Sequence, residues 1–189
     1  PTSMLSKLAG LILKISGFEI TGNYPYHAKK KVFIVIPHTS NWDFPLGILL
    51  RTKLKATINF LAKYSLFKPP FGFIFKWLGG VPVDRSKSNN FVDSTVQLFK
   101  ERDALTIQIA PEGTRKKVDK LKTGFYYICL KAEVPLFFVK FDWGTKVVHF
   151  SDEVTLSGNR EKDLKMIDDY FRTTKGKIPE YSYLYTEGV

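Results

Sequence analysis

The stretch KVFIVIPHTSNWDF, residues 31–44, decides the fold of this chain. Its first half is a continuous apolar run of β-branched and aromatic residues, which is typical of a strand buried on both faces. Its end opens a helix, DFPLGILLRTKL, in which Pro45 falls in the first turn, where a proline is tolerated. The stretch therefore predicts a buried strand that leads through a short polar loop into a helix.

The same alternation of strand and helix patterns continues along the chain. Further strands are predicted at 56–62, 81–83, 105–110, 134–143 and 146–154. Further helices are predicted at 89–104, 123–133 and 159–177, with short helices at 65–78. This order predicts an α/β sandwich, a mainly parallel sheet flanked by helices. The 189 residues suit a single domain, 1–189, with a proper core.

Composition limits the partners and the metal chemistry. Lys and Arg number 29 against 18 Asp and Glu, a formal net charge of +11. Nucleic acid, anionic lipid surfaces and phosphorylated substrates all fit such an excess, and lysines that only maintain solubility are the alternative. The single cysteine, Cys129, excludes an internal disulfide and cysteine-based metal sites, and its apolar neighbours predict a place in the core.

Residues 3–18 are a candidate N-terminal amphipathic helix. Leu5, Leu8, Ile12 and Ile15 recur at helical spacing, with lysines towards the other side. Such a helix either lies in a membrane interface or packs on its own domain. A truncated secretory signal is the least favoured interpretation, because a lysine interrupts the apolar stretch. No apolar run in the sequence reaches the roughly 18 residues that a membrane-spanning helix needs.

Three polar clusters follow predicted strands: HTSNWD at 38–43, DRS at 84–86 and PEGTRKK at 111–117. In parallel sheets, ligands bind beyond the carboxyl ends of the strands. The three clusters are therefore candidates for the walls of one crevice.

His38 and Asp43 are the candidate catalytic residues of the first cluster. A loop of this length lets the carboxylate fold back and hold one imidazole nitrogen, which leaves the other nitrogen free as a base and stabilises the imidazolium. The alternative is structural, because Ser40, Asn41 or Asp43 equally suits the cap of the following helix.

The second and third clusters supply cationic and turn-forming residues. Arg85 lies past a short strand, where its planar guanidinium either binds a phosphate or pairs with the neighbouring aspartate. Glu112 directly follows an apolar strand, and Gly113 permits an unusual turn. Arg115, Lys122 and three more lysines make the loop strongly positive. The helix start at KTG offers free N–H groups to an anion, and a solvated basic loop is the alternative.

Together the clusters resemble the glycerolphosphate acyltransferase family, in particular its bacterial-type 1-acylglycerol-3-phosphate acyltransferases. The sequence HTSNWD, 38–43, matches the H-x4-D motif of the family. GGVPVDR at 79–85 matches its second block, PEGTR at 111–115 its third, and VPLFFV at 134–139 its fourth. The blocks occur in the order of the family and cover most of residues 31–140.

The resemblance implies an O-acyltransferase. Such enzymes move a fatty acyl chain from acyl-CoA or acyl carrier protein to the sn-2 hydroxyl of 1-acylglycerol 3-phosphate, which gives phosphatidic acid for phospholipid biosynthesis. His38 would then be the general base and Asp43 the residue that orients it. No metal or redox cofactor is implied.

The resemblance also implies the substrate-binding residues. The family's acceptor-binding positions correspond to Arg85, Glu112, Gly113, Thr114 and Arg115. Pro135 and its strand correspond to the acyl pocket. The basic loop itself adds Lys122, and the amides after Thr123, as phosphate contacts.

Alternatives stay open at this level. Relatives with the same blocks acylate other lysolipids, including amino-acid lipids, or glycerol 3-phosphate. The charge and the N-terminal helix predict a peripheral protein on the cytoplasmic membrane face, with an anionic membrane surface, a lysophospholipid acceptor and an acyl thioester donor as partners. A nucleic-acid-binding domain would use the same charge with aromatic stacking, but no nucleic-acid motif supports it, so no nucleic acid is expected. The intact His38–Asp43 pair argues against a lipid-binding relative without turnover.

Overall fold

The computed structural model describes residues 2–83 and 88–184. The helices in these ranges are α1 (Thr2–Ile15), α2 (Asp43–Lys53), α3 (Gly72–Trp77), α4 (Ser88–Glu101), α5 (Gly124–Ala132) and α6 (Arg160–Phe171). The strands are β1 (Glu19–Thr21), β2 (Lys30–Ile36), β3 (Asn59–Lys63), β4 (Gly80–Val83), β5 (Leu105–Ile109), β6 (Leu136–Asp142) and β7 (Val147–Val154). Short 3-10 turns lie at Tyr64–Phe67 and Pro179–Tyr181.

The described strands form one mixed sheet in the order β1-β7-β6-β2-β5-β3-β4. Strands β6 and β7 pair antiparallel, and the other neighbouring pairs are parallel. The predicted sheet is therefore confirmed. Strand β1 is an addition, because three residues carry too little pattern to be recognised as a strand.

The central strand β2 separates two apolar cores. Val32, Ile34 and Ile36 face one core, which also contains buried residues of α4, α5 and α6. Phe33 and Val35 face the other, which contains residues of α1 and α2. The alternation follows from the two-residue period of a strand, and it explains why every position of the run is apolar. Buried Cys129 lies in the first core, where desolvation raises the pKa of its thiol to about 12.

Helix α1 packs on α2 through its less apolar side. Ser6, Ala9 and Leu13 are buried, and the Ser6 hydroxyl donates to the Lys53 carbonyl at the end of α2 (2.8 Å). The predicted apolar stripe instead faces outwards, with Met4, Leu5, Leu8, Leu11, Ile12 and Ile15 all exposed. Of the two interpretations open from the sequence, packing on the protein's own domain holds for the buried side of α1. A membrane contact stays a prediction for the exposed side.

Helices α1, α4 and α6 end earlier than expected, α4 at Glu101 rather than 104. Helix α1 stops at Ile15 rather than 18, because Gly17 is left-handed (φ 78°) and the amides of Gly17 and Phe18 turn back to the last carbonyls of the helix. Helix α6, expected to continue to 177, ends at Phe171. The residues that follow, 172–178, are called the strap below, since they cross the carboxyl end of the sheet.

No helix in the described part of the chain combines the length and the hydropathy that crossing a bilayer requires.

Candidate active site

The loop from β2 to α2 brings the predicted pair together. His38 Nδ1 lies 3.1 Å from Asp43 Oδ2. The Asp43 side chain is only 3% exposed, whereas that of His38 is 24% exposed. The carboxylate is therefore shielded, and the imidazole reaches solvent. With a proton on Nδ1, the ring donates to Asp43 and keeps a lone pair on Nε2.

Asp43 is held by four donors. Besides His38, Oδ2 accepts from the backbone amides of Thr39 and Ser40, each at 3.0 Å. The other oxygen, Oδ1, accepts from the indole Nε1–H of Trp143 at 2.8 Å. Charge-assisted hydrogen bonds of this kind offset the cost of burying a carboxylate. Capping was the alternative role for Asp43, but Asp43 is the first residue of α2 and its carboxylate bonds backwards into the loop.

Glu112 fixes the backbone of the same loop from the neighbouring strand. Both of its carboxylate oxygens accept from the His38 amide, at 3.1 and 2.9 Å. The side chain is 2% exposed, and this burial raises its pKa from an ordinary 4.5 to about 8; the His38 amide opposes the rise and the nearby Asp43 charge adds to it. Two of the predicted clusters, after β2 and after β5, are thus joined by direct contact.

The loop that follows Glu112 is exposed and basic. Gly113 is left-handed (φ 68°), as the sharp turn in the sequence predicts, and the Lys122 side chain crosses it so closely that a β-carbon there would lie 2.8 Å from Cε. Thr114 accepts from the Lys116 amide through its hydroxyl (3.3 Å). Arg115 and Lys122 are exposed, so their charges face solvent beside the site.

One predicted substrate residue, Pro135, is not brought to this loop. Arg85 lies outside the described residues. Pro135 precedes β6, and its carbonyl accepts a hydrogen bond from the Val32 amide near the amino end of β2 (3.0 Å). His38 follows the carboxyl end of the same strand. The separation is roughly 15 Å along the strand.

The arrangement suits proton removal by an oriented imidazole. A base needs one nitrogen accessible to the reacting group and a partner that stabilises its charged form, and His38 with Asp43 provides both. No group of three or more His, Cys, Asp or Glu with the spacing of a metal site occurs within residues 2–83 and 88–184.

Comparison with known proteins places the chain in a family. Residues 17–141, more than half of the chain, match the family described as Acyltransferase. The chain belongs to this acyltransferase family. The resemblance carried by the four sequence blocks is thereby confirmed.

A curated relative supports the same assignment. The 1-acyl-sn-glycerol-3-phosphate acyltransferase of Streptococcus pneumoniae (strain ATCC BAA-255 / R6) is 32% identical over an alignment of 136 residues. The match covers 67% of this chain and 50% of the relative. The matched part thus spans about half the length of that acyltransferase.

A solved structure shares the fold. The crystal structure of the 1-acyl-sn-glycerophosphate (LPA) acyltransferase PlsC from Thermotoga maritima aligns with a TM-score of 0.58 at 20% identity, and the alignment covers 93% of this chain and 81% of that one. Sheet and flanking helices therefore follow the architecture of a known acyltransferase.

Sequence reasoning missed two contributors, both beyond the region that matches the acyltransferase family. Trp143 begins the turn after β6 and reaches Asp43. The strap covers Thr39, because the Ile178 amide donates to its hydroxyl (3.2 Å). The signal that identifies Trp143 is its position directly after β6. Because β6 pairs parallel with β2, the residues that follow these two strands lie close together at the carboxyl end of the sheet.

Proposed function

We propose that this protein is an O-acyltransferase that moves a fatty acyl group from acyl-CoA or acyl carrier protein to the sn-2 hydroxyl of 1-acylglycerol 3-phosphate. The contact between His38 and buried Asp43 at the carboxyl edge of the sheet carries the proposal. Family membership and the activity of the Streptococcus pneumoniae relative support it, and the fold shared with the Thermotoga maritima enzyme agrees with it.

The proposed reaction is a direct transfer. Nε2 of His38 takes the proton from the acceptor hydroxyl as the oxygen attacks the thioester carbonyl. The carbon–sulfur bond then breaks, and the proton passes to the leaving thiolate, which departs as a thiol. These steps balance without a metal or redox cofactor. Binding both substrates beside the imidazole replaces a rare encounter by an ordered one.

The basic loop is the proposed site for the phosphate of the acceptor. Arg115 and Lys122 are exposed on the loop that starts at Glu112, and Glu112 itself contacts the His38 backbone. In this proposal Arg115 and Lys122 hold the phosphate, and a hydroxyl of the same molecule reaches the base. Arg85, outside the described residues, stays a proposed third contact. Guanidinium groups suit this task because they bind phosphate oxygens bidentately.

The outward face of α1 is the proposed membrane contact. A second exposed apolar surface lies at 64–77 and includes Tyr64, Leu66, Phe71, Phe73, Ile74 and Trp77. The end of α2 forms hydrogen bonds with α1 and with the residue that follows α3. The Lys53 carbonyl accepts from the Ser6 hydroxyl, and the Arg51 guanidinium donates to the Leu78 carbonyl. The two apolar surfaces therefore flank the helix that begins at Asp43, an arrangement that suits docking on an anionic membrane, here proposed to be its cytoplasmic face.

The deciding experiment is acyl transfer in mixed micelles, with 1-acylglycerol 3-phosphate as acceptor and both donor types. We expect product from the wild type and a rate about a thousandfold lower for His38→Ala, because general-base catalysis is worth about that much. His27→Ala, which removes an exposed imidazole elsewhere, is expected to keep the wild-type rate.

Three outcomes separate the parts of the proposal. Equal rates for wild type and His38→Ala would contradict the role of the imidazole. Product only with glycerol 3-phosphate or a lyso-amino-acid lipid would keep the mechanism and change the acceptor. Absence of product with every acceptor and donor would overturn the proposed activity.

A further inference from the structure

Trp143 contacts the candidate active site from outside the sequence blocks that mark it. It follows β6 directly and begins the turn to β7, and its indole Nε1–H donates to Asp43 Oδ1 at 2.8 Å. The turn occupies this place because β6 runs parallel to β2, with Ile36 opposite Lys140. The residues that follow the two strands therefore lie at the same end of the sheet.

The two carboxylate oxygens of Asp43 accept hydrogen bonds from different parts of the chain. Oδ2 faces the loop and lies within hydrogen-bond distance of His38 Nδ1 and of the Thr39 and Ser40 amides. Oδ1 accepts the indole N–H of Trp143. A carboxylate held at one oxygen alone can still rotate about its last bond, whereas donors on both oxygens set its plane. Trp143 thus restrains the rotation that would move Oδ2 away from the imidazole.

Three parts of the chain hold the indole in place. The Trp143 amide donates to the Lys175 carbonyl of the strap (2.8 Å). Phe18 meets the ring edge-on, with centroids 4.9 Å apart and planes at 90°. The Lys146 and Lys177 ammonium groups lie 4.9 and 4.5 Å from the ring centroid. Such contacts stabilise one orientation of the ring.

We propose that Trp143 is a positioning residue for the acyl transfer proposed above: its indole N–H sets the Asp43 carboxylate so that the carboxylate orients His38. The proposal rests on the proposed function for its kinetic consequence. Its structural consequence, a fixed hydrogen bond between His38 and Asp43, is measurable without turnover.

Trp143→Phe tests the proposal, since it removes the donor and retains an aromatic ring for Phe18 and the lysines. We expect kcat to fall about ten- to a hundredfold, because a catalytic base displaced by up to about 1 Å loses that much of its rate. We expect KM for the acceptor to change little, because Trp143 is not proposed to contact the acceptor. Tyr26→Phe is the matched control: it removes an aromatic donor, to the Leu54 carbonyl (2.7 Å), away from the site. We expect it to behave as wild type.

The pH profile distinguishes positioning from a loss of packing. Without the indole donor the Asp43 carboxylate is free to rotate away and stabilises the protonated imidazole less, so the acidic limb of kcat/KM is expected to move to lower pH. A loss of packing that leaves the contact between His38 and Asp43 in place would not move this limb. The titratable groups around the pair are Glu112 behind the His38 amide, Lys146 and Lys177 at the indole, and Asp142 at the end of β6. The variant changes none of them.

An NMR signal tests the contact independently of activity. In the wild type, the Nδ1 proton of His38 is expected to exchange slowly with water, and in Trp143→Phe it is expected to exchange faster. A change in this signal in a protein that shows no acyl transfer would retain the positioning and overturn the proposed function. Wild-type kinetics, pH profile and proton exchange in folded Trp143→Phe would overturn the positioning.

A second measurement serves if Trp143→Phe does not fold. The indole N–H of Trp143 in the otherwise unchanged protein is expected to resonate downfield and to be protected from exchange. Both properties are expected to disappear in Asp43→Ala, which removes the acceptor. An unprotected indole N–H in the wild type would also overturn the proposal.

Discussion

At the scale of single residues, two buried carboxylates hold the His38 loop by different means. Asp43 receives donors on both oxygens, from the loop amides, the imidazole and the indole. Glu112 receives one backbone amide, which both of its oxygens share. One N–H cannot compensate for the desolvation of a full charge, so the pKa of Glu112 rises to about 8. Near neutral pH, Glu112 is therefore largely protonated.

This raised pKa predicts a pH dependence of stability. The pKa of Glu112 is about 8 in the folded protein and near 4.5 when the side chain is in water. Between these values the folded state binds more protons than the unfolded state, so the free energy of unfolding falls as the pH rises from about 4.5 to about 8. Glu112→Gln is neutral throughout and retains an acceptor for the His38 amide.

The measurement is denaturant unfolding of both proteins at several pH values from 5 to 8. We expect the stability of the wild type relative to Glu112→Gln to decrease steadily, by a few kcal/mol over the whole window. Other titrating groups are common to both proteins and cancel in the difference. A difference that does not vary with pH would show that Glu112 is ionised throughout the window.

At the scale of elements, the strap contacts the loop that carries His38 because it is not a continuation of helix α6. It leaves α6 at Phe171 and crosses the loop, where Gly176 lies directly against Thr39. A β-carbon at Gly176 would clash with the Thr39 hydroxyl and lie 2.5 Å from its methyl carbon. Thr39 is buried, and its amide is one of the donors to Asp43, so a shift here is transmitted to the catalytic pair.

We therefore expect Gly176→Ala to lower the free energy of unfolding by about 1–3 kcal/mol, the usual cost of overpacking, and to reduce kcat as well. Urea unfolding and the acyl-transfer assay measure the two effects.

Gly47→Ala is the control for stability. Gly47 lies within α2 with no atom within 4 Å of its would-be β-carbon, so alanine is expected to raise the free energy of unfolding by about 0.5–1 kcal/mol through helix propensity. Equal effects of the two substitutions would argue against a close contact between the strap and Thr39.

At the scale of the whole molecule, charge and apolar surface combine. The net charge is +11, and the apolar side of α1 faces outwards instead of into a core. Burying such a side chain in a lipid interface gains roughly 1.5–3 kcal/mol. The positive charge adds attraction to anionic lipid that salt screens.

The corresponding prediction concerns vesicles that contain anionic phospholipid. The double substitution Leu8→Gln and Ile15→Gln is expected to weaken binding at least about tenfold in co-sedimentation, because two exposed apolar side chains no longer enter the interface. Raising the salt concentration is expected to weaken wild-type binding further.

Met166→Gln is the matched control for this prediction. Met166 is an exposed apolar residue on α6, which packs on the other face of the sheet from α1. We expect it to bind vesicles as the wild type does. Equal binding by all three proteins would mean that α1 does not contact the membrane.

Much of the fold was predictable because its signals are local. The apolar run at 31–37 and the breaks at 65–78 are properties of neighbouring residues, and strand, loop and short helices follow from them. The end of α6 was not predictable in this way. The helical pattern of 159–177 is compatible with a longer helix, but the strap makes contacts with Trp143 and Thr39 that are more than thirty residues distant.

The sequence by itself determined a mainly parallel sheet, the polar loops at the ends of its strands and the candidate pairing of His38 with Asp43, five positions apart, with helix capping as the alternative. Such features depend on side-chain period, turn-forming residues and short separation. The tertiary structure alone decided that Glu112 holds the His38 amide, that Trp143 holds Asp43 and that the apolar side of α1 faces outwards. The two carboxylate contacts depend on which strand lies beside which, because strand order brings together residues that no local pattern connects. The orientation of α1 depends on its packing against α2.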